Sequence, residues 1–262
     1  MPCRHRLLGA GVLGTVALTA ALSAAGSVPV SADPVPSTSS TTTSVSTPAT
    51  SGGPASSPLC TAAVITSAKA LVQTDLTNRV TQLNLLVGRV NGAVHLTTSD
   101  QSTLLADLTQ SELPGIQALQ AKVSGDTTCI ELLRDAHAMV FDYRVYLLMT
   151  PQADLVILND AITYAEGVVA ALETRISGGI HNAQERGQNV SGAQSAFADY
   201  QAQVTAAQSL TSSQSATLLA QTPQEYPGNA AVLLQARTNL SNARNDLHTA
   251  RADLTQIVQD LS

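Results

Sequence analysis

The stretch LLQARTNLSNARNDLHTARADLTQIVQDL, residues 233–261, repeats Leu-x-x-Ala-Arg three times at a spacing of seven. Leu233, Leu240, Leu247, Leu254 and Leu261 form one row, and Ala236, Ala243, Ala250 and Ile257 form a second row three residues on. A seven-residue period, at about 3.5 residues per turn, keeps both rows on one seam facing a partner helix. The repeat therefore predicts a long helix packed along its whole length, with the Ala row allowing close antiparallel approach. Arg237, Arg244 and Arg251 flank the seam on one side and Asp246, Asp253 and Asp260 on the other. Inside a bundle these flanks are expected to pair with charges on neighbouring helices. An uncovered seam would instead support self-association, because five successive exposed Leu are an aggregation hazard.

Working back from this helix, apolar residues recur three and four apart in four further stretches. Ile65, Val72, Leu76, Val80, Leu83, Val87, Val90 and Val94 mark a first helix from about residue 59. Leu105, Leu108, Ile116, Leu119 and Val123 mark a second, with a kink expected at Pro114-Gly115. Thr128 and Glu131 form a capping box that opens a third helix, expected to run past Pro151 as far as Ile176 and to end at Gly178-Gly179. Val190, Ala193, Phe197, Tyr200, Val204 and Ala207 mark the fourth, and Asn229 is the expected N-cap of the fifth. The fold class is all-α: an elongated antiparallel helical bundle. Its expected form is two three-helix bundles in tandem, 59–150 and 151–262, sharing a long central helix in a spectrin-like architecture.

Residues 1–32 read as a secretory signal. Arg4 and Arg6 precede an uncharged apolar stretch, and Val30-Ser31-Ala32 supplies small residues for cleavage near Ala32. The competing reading is a retained membrane anchor. Residues 33–58 contain 21 Ser, Thr, Pro or Gly among 26 positions and no apolar period, the composition of an extended disordered linker. Cys60 and Cys129 remain beyond the signal. If each starts a helix in an up-down-up path, both lie at one end of the bundle, and an oxidising compartment favours a disulfide between them.

Without the signal the chain carries 11 basic and 19 acidic residues, a net charge of −8. That balance disfavours nucleic acid, which needs clustered Lys and Arg to neutralise phosphates. Charged residues are 12% of the chain, against about 25% in an average soluble protein. His95, His137, His181 and His248 are scattered, and no His-Glu-x-x-His, Gly-x-Ser-x-Gly or phosphate-binding Gly loop occurs. No catalytic, cofactor-binding or metal residue is therefore assigned.

The densest unusual segment is Val140 to Pro151, VFDYRVYLLMTP, apolar almost all round a helix. It is expected at the junction of the two bundles, and Tyr143, Arg144 and Tyr146 are the side chains best suited to a partner surface. Through Tyr143–Tyr146 with Pro151, and through Ala250–Leu254, the chain resembles a loose group of uncharacterised secreted helical proteins of actinobacteria. These proteins pair a Tyr-Arg-Val-Tyr stretch followed by Pro with Ala-Arg-Ala-Asp-Leu repeats. The resemblance implies a helical, exported protein and carries no activity with it.

The expected function is thus a secreted or cell-surface, non-catalytic structural or interaction protein of the cell envelope. It needs no cofactor, and its partner is a cell-wall polymer or another envelope protein. The alternatives are a membrane-active helical protein and, third, a hydrolase without a recognisable motif.

Overall fold

The computed structural model describes residues 60–262; the signal and linker assigned to residues 1–58 lie outside the described residues. All regular structure among the described residues is helical. The helices are α1 (Ala62–Gly92), α2 (Thr98–Ala106), α3 (Leu113–Gly125), α4 (Cys129–Phe141), α5 (Thr150–Ala170), α6 (Glu173–Glu185), α7 (Ser191–Thr211), α8 (Gln214–Leu219) and α9 (Ala230–Asp260). A π turn, Asp107–Glu112, joins α2 to α3, and another, Val145–Met149, leads into α5. A 3₁₀ turn, Pro223–Glu225, follows α8.

Both π turns have the same cause. Proline has no N–H for the helical ladder, and its ring collides with the carbonyl four residues back. Pro114 and Pro151 each follow a π turn by two residues. The residue just before each proline bonds five back instead of four, Leu113 N–H to Leu108 O and Thr150 N–H to Val145 O. The extra residue per turn admits the ring without ending the helix. The backbone stays helical through Pro114-Gly115, and the irregularity expected there takes the form of the π turn Asp107–Glu112 just upstream.

The third helix departs from expectation at both ends of its run. It breaks at Asp142–Arg144, ahead of Pro151, where Arg144 takes a left-handed conformation at φ 41°. Gly178-Gly179 does not end it: both glycines lie inside α6, beyond a hitch at Ala171-Leu172. The helix stops at Glu185. Gly187, at φ 76°, supplies the left-handed residue, and Gly187 N–H to Gln184 O and Gln188 N–H to Ala183 O close a Schellman end. Neither Gly178 nor Gly179 is needed for that geometry, because a helical glycine costs only about 1 kcal/mol when flanking turns are packed.

The run Cys129–Glu185, 57 residues interrupted at Asp142–Arg144 and at Ala171-Leu172, is the strut of the molecule. α1 and α3 pack on each other and on α4, and α1 continues along the start of α5. α7 returns along α5 and α6, and α9 lies against α7 and α5. Around residues 152–160, α5 is flanked by α1 on one side and by α8 and α9 on the other, so nearly every face is covered.

The capping box at Thr128 forms as expected, with Glu131 accepting from the Thr128 backbone N–H. Asn229 does not cap α9: its Nδ2 donates to Thr222 O at 2.9 Å and ties down the preceding loop. The α9 seam is buried as its period requires. Ala236, Leu240, Ala243, Leu247, Ala250 and Ile257 are fully enclosed, while Leu233, Leu254 and Leu261 pack at its edge. The expected charge pairing beside the seam does not form. Arg237, Arg244 and Arg251 are exposed, with no carboxylate within 4.0 Å among the described residues. On the other flank Asp253 faces Asp199 of α7, and Asp260 lies over the first turn of α7, where Gly192 leaves room for its carboxylate. A carboxylate there complements the helix N-terminus and needs no arginine.

Candidate functional site

Four polar residues interrupt the otherwise apolar, buried stretch of α5: Gln152, Asn159, Asp160 and Glu166. Buried polar atoms require partners, and the break between α7 and α8 supplies them. Thr211 ends α7, and Ser213, left-handed at φ 99°, interrupts the helix before α8 continues in the same sense along α5. That turn presents Thr211 and Ser215 to α5, while Gln214 Oε1 accepts from Asn239 Nδ2 of α9 at 3.0 Å. Gln152 Nε2 donates to Leu218 O at 2.7 Å and Gln221 O at 3.1 Å, satisfying carbonyls at the end of α8.

Two helical turns further along α5, Asn159 Nδ2 donates to Ser215 Oγ at 2.9 Å, and Ser215 Oγ donates to Asp160 Oδ1 at 3.1 Å. Asp160 Oδ2 accepts from the Thr97 backbone N–H at 2.7 Å. Asp160 thus joins the N-cap of α2 to the start of α8 across the strut. Beyond it, the Thr211 hydroxyl lies 3.0 Å from both oxygens of Glu166.

Between these groups opens a cleft of about 490 Å³, walled by Asn159, Asp160, Thr163, Glu166, Thr211 and Ser213 among others. Its wall contains no Lys, Arg or His. Burial raises the Glu166 carboxyl above the ordinary range, partly opposed by the Thr211 hydroxyl. Burial, then the neighbouring Asp160, likewise raises Asp100. Asn159 Oδ1 is buried with no hydrogen-bond partner. The cleft is therefore a set of acceptors and hydroxyls that lacks a cation of its own. Among the described residues no group of three or more His, Cys, Asp and Glu is arranged to hold a metal ion.

The residues singled out from the sequence lie elsewhere. Cys60 and Cys129 are bonded, with Cα atoms 6.1 Å apart, and join the starts of α1 and α4. Arg144 is turned inward. Its Nε donates to Pro223 O at 2.9 Å, and its guanidinium stacks 4.6 Å from the Tyr226 ring and 5.0 Å from Phe141. It staples the break in the strut to the loop before α9, and burial removes it from the surface. Tyr143 packs over Gly115 on α3, where an added Cβ would meet its hydroxyl at 2.8 Å. Of the three, Tyr146 alone is exposed, with Arg79 5.1 Å from its ring.

The α5 residues of the cleft carry a signal readable in the sequence. Asn159, Asp160 and Glu166 sit among Leu155, Val156, Ile162, Ala165 and Val169 on a helix too apolar to have an ordinary solvated face. The other half of the site, Thr211 to Ser215, could not be read, because Ser-rich turns occur throughout the chain.

The fold and site define an all-helical, disulfide-tied bundle with an acidic cleft beside its strut. No family model, curated protein or solved structure matches the chain.

Proposed function

We propose that this chain is an exported, non-catalytic rod of the bacterial cell envelope that binds an anionic wall polymer through the outer face of α9. Its architecture in this reading is two tandem three-helix bundles sharing the strut Cys129–Glu185. The observation that carries the reading is the arginine row. Arg237, Arg244 and Arg251 recur at about 10.5 Å on a straight helix, and their guanidinium groups make no hydrogen bond or ion pair among the described residues. Ser241 and His248 are exposed on the adjacent stripe. In a chain of net charge −8 after signal removal, such a row is a local cationic track on an acidic body. Guanidinium groups bind phosphate and carboxylate through paired donors, and a regular pitch matches a polymer with repeating charge. The N-terminal signal pattern, the linker and the disulfide support export.

The test is co-sedimentation of the purified, oxidised protein with cell-wall sacculi, with sacculi stripped of anionic polymer, and with liposomes. Pelleting with intact sacculi at low salt, released by moderate salt and by replacing the three arginines with Gln, is the expected result. Remaining in solution with every phase overturns the reading. Pelleting with liposomes alone replaces it with the membrane-active alternative, favoured by the exposed Ile130 and Leu133 on α4 and by the apolar composition of Cys129–Glu185, long enough to cross a membrane.

A further inference from the structure

We infer that the cleft between α5 and the α7–α8 break binds a small hydroxylated ligand bearing a primary ammonium group, of amino-sugar size. The inference is independent of the arginine face, since it rests on different residues.

Three observations carry it. First, the wall offers negative charge without an internal counter-ion: Asp160 and Glu166 both line the cleft, and no basic side chain does. Each carboxylate already accepts hydrogen bonds from neutral donors, Ser215 and Thr97 for Asp160 and Thr211 for Glu166. Those contacts fix the oxygens in place and leave lone pairs for a further donor. Second, Asn159, 4% exposed, has an Oδ1 without any partner. Buried acceptors of this kind are uncommon in folded proteins, and of the seven unpartnered buried atoms among the described residues this one belongs to a residue of the cleft wall. An ammonium brings three donors and one positive charge to a wall that offers carboxylates and hydroxyls but no cation. Third, the remaining wall is rich in hydroxyls, Thr163, Ser212, Ser213 and Ser215, which exchange hydrogen bonds with ligand hydroxyls. A volume of about 490 Å³ lies within the range of small-ligand sites and exceeds what a bare ion needs.

A neutral sugar would leave the charge unmet. Burial already holds Glu166 toward its protonated form, and a bound ammonium would favour its ionised form, so binding and ionisation of this side chain reinforce each other.

Glucosamine, with glucose and N-acetylglucosamine as neutral counterparts, provides the test on the full oxidised chain by NMR titration near neutral pH. Glucosamine should give saturable shifts of the Thr163, Glu166 and Ser215 amides, and the neutral sugars should bind at least tenfold more weakly. Glu166→Gln should weaken glucosamine at least tenfold. Thr163 is exposed on the cleft rim, so Thr163→Lys should keep the helical circular dichroism while its own ammonium competes for the site, again with at least a tenfold loss. Equal binding of the charged and neutral sugars, no saturable shift with glucosamine, or undiminished binding in folded Thr163→Lys would each overturn the assignment.

Discussion

Single side chains decide several energies that the helix pattern leaves open. Tyr200 is fully buried, and its hydroxyl donates to Val169 O at 2.5 Å, near the end of α5. Val169 O also accepts from Leu172 N–H, so Tyr200→Phe removes one buried hydrogen bond without orphaning the carbonyl and should lose about 1 kcal/mol in denaturant unfolding. Glu112 sits buried in the first π turn, with Oε2 unpartnered, and burial, aided by Asp107, raises its carboxyl to about 7. The folded protein thus holds this proton more tightly than the unfolded chain, and its stabilising effect is complete below the ordinary value near 4.5 and lost as pH rises to about 7. Glu112→Gln should flatten that decline and exceed the parent stability by about 2 kcal/mol at alkaline pH, measured by urea unfolding across the range. A parent protein whose Glu112-dependent stability rises with pH would contradict the assignment. Glu112 could not be picked out from the sequence, because nothing in DLTQSE says which of its polar residues a π turn will carry inward.

At the scale of helices, the same residue type has opposite meanings according to what lies across from it. A Cβ at Gly88 on α1 meets nothing within 4 Å, whereas one at Gly115 on α3 strikes the Tyr143 ring. Gly88→Ala should gain about 0.5–1 kcal/mol from helix propensity, and Gly115→Ala should lose about 1–3 kcal/mol through overpacking. Thermal melts of the two single variants separate these signs, and Tyr143→Ala should recover part of the Gly115→Ala loss. Gly187 supplies the left-handed end of α6, so Gly187→Ala should cost about 1 kcal/mol by the same assay. The α9 seam was legible because a heptad fixes a face without reference to the partner. Its charged flanks were not, since pairing depends on which helices lie beside them, and α7 presents Asp199 to Asp253.

For the whole molecule, the disulfide closes a span of 69 residues and joins the starts of α1 and the strut. Its reduction should lower stability by about 4 kcal/mol in the chain-entropy model, read as a shift in denaturant midpoint with and without reductant. Free reaction of both thiols with a maleimide in native, unreduced protein would refute the bond. The sequence by itself determined the helical class, the seam of Leu233 to Leu261, the capping box at Thr128 and the pairing of Cys60 with Cys129. Each of these follows from a period, a local motif or a count. Only the tertiary structure decided that the third helix breaks at Arg144 rather than running unbroken past Pro151, that Arg144 turns inward onto Tyr226, and that Asn159, Asp160 and Glu166 meet Thr211 and Ser215 around one cleft. Those outcomes depend on contacts between residues some 45 to 80 positions apart, which local pattern does not encode.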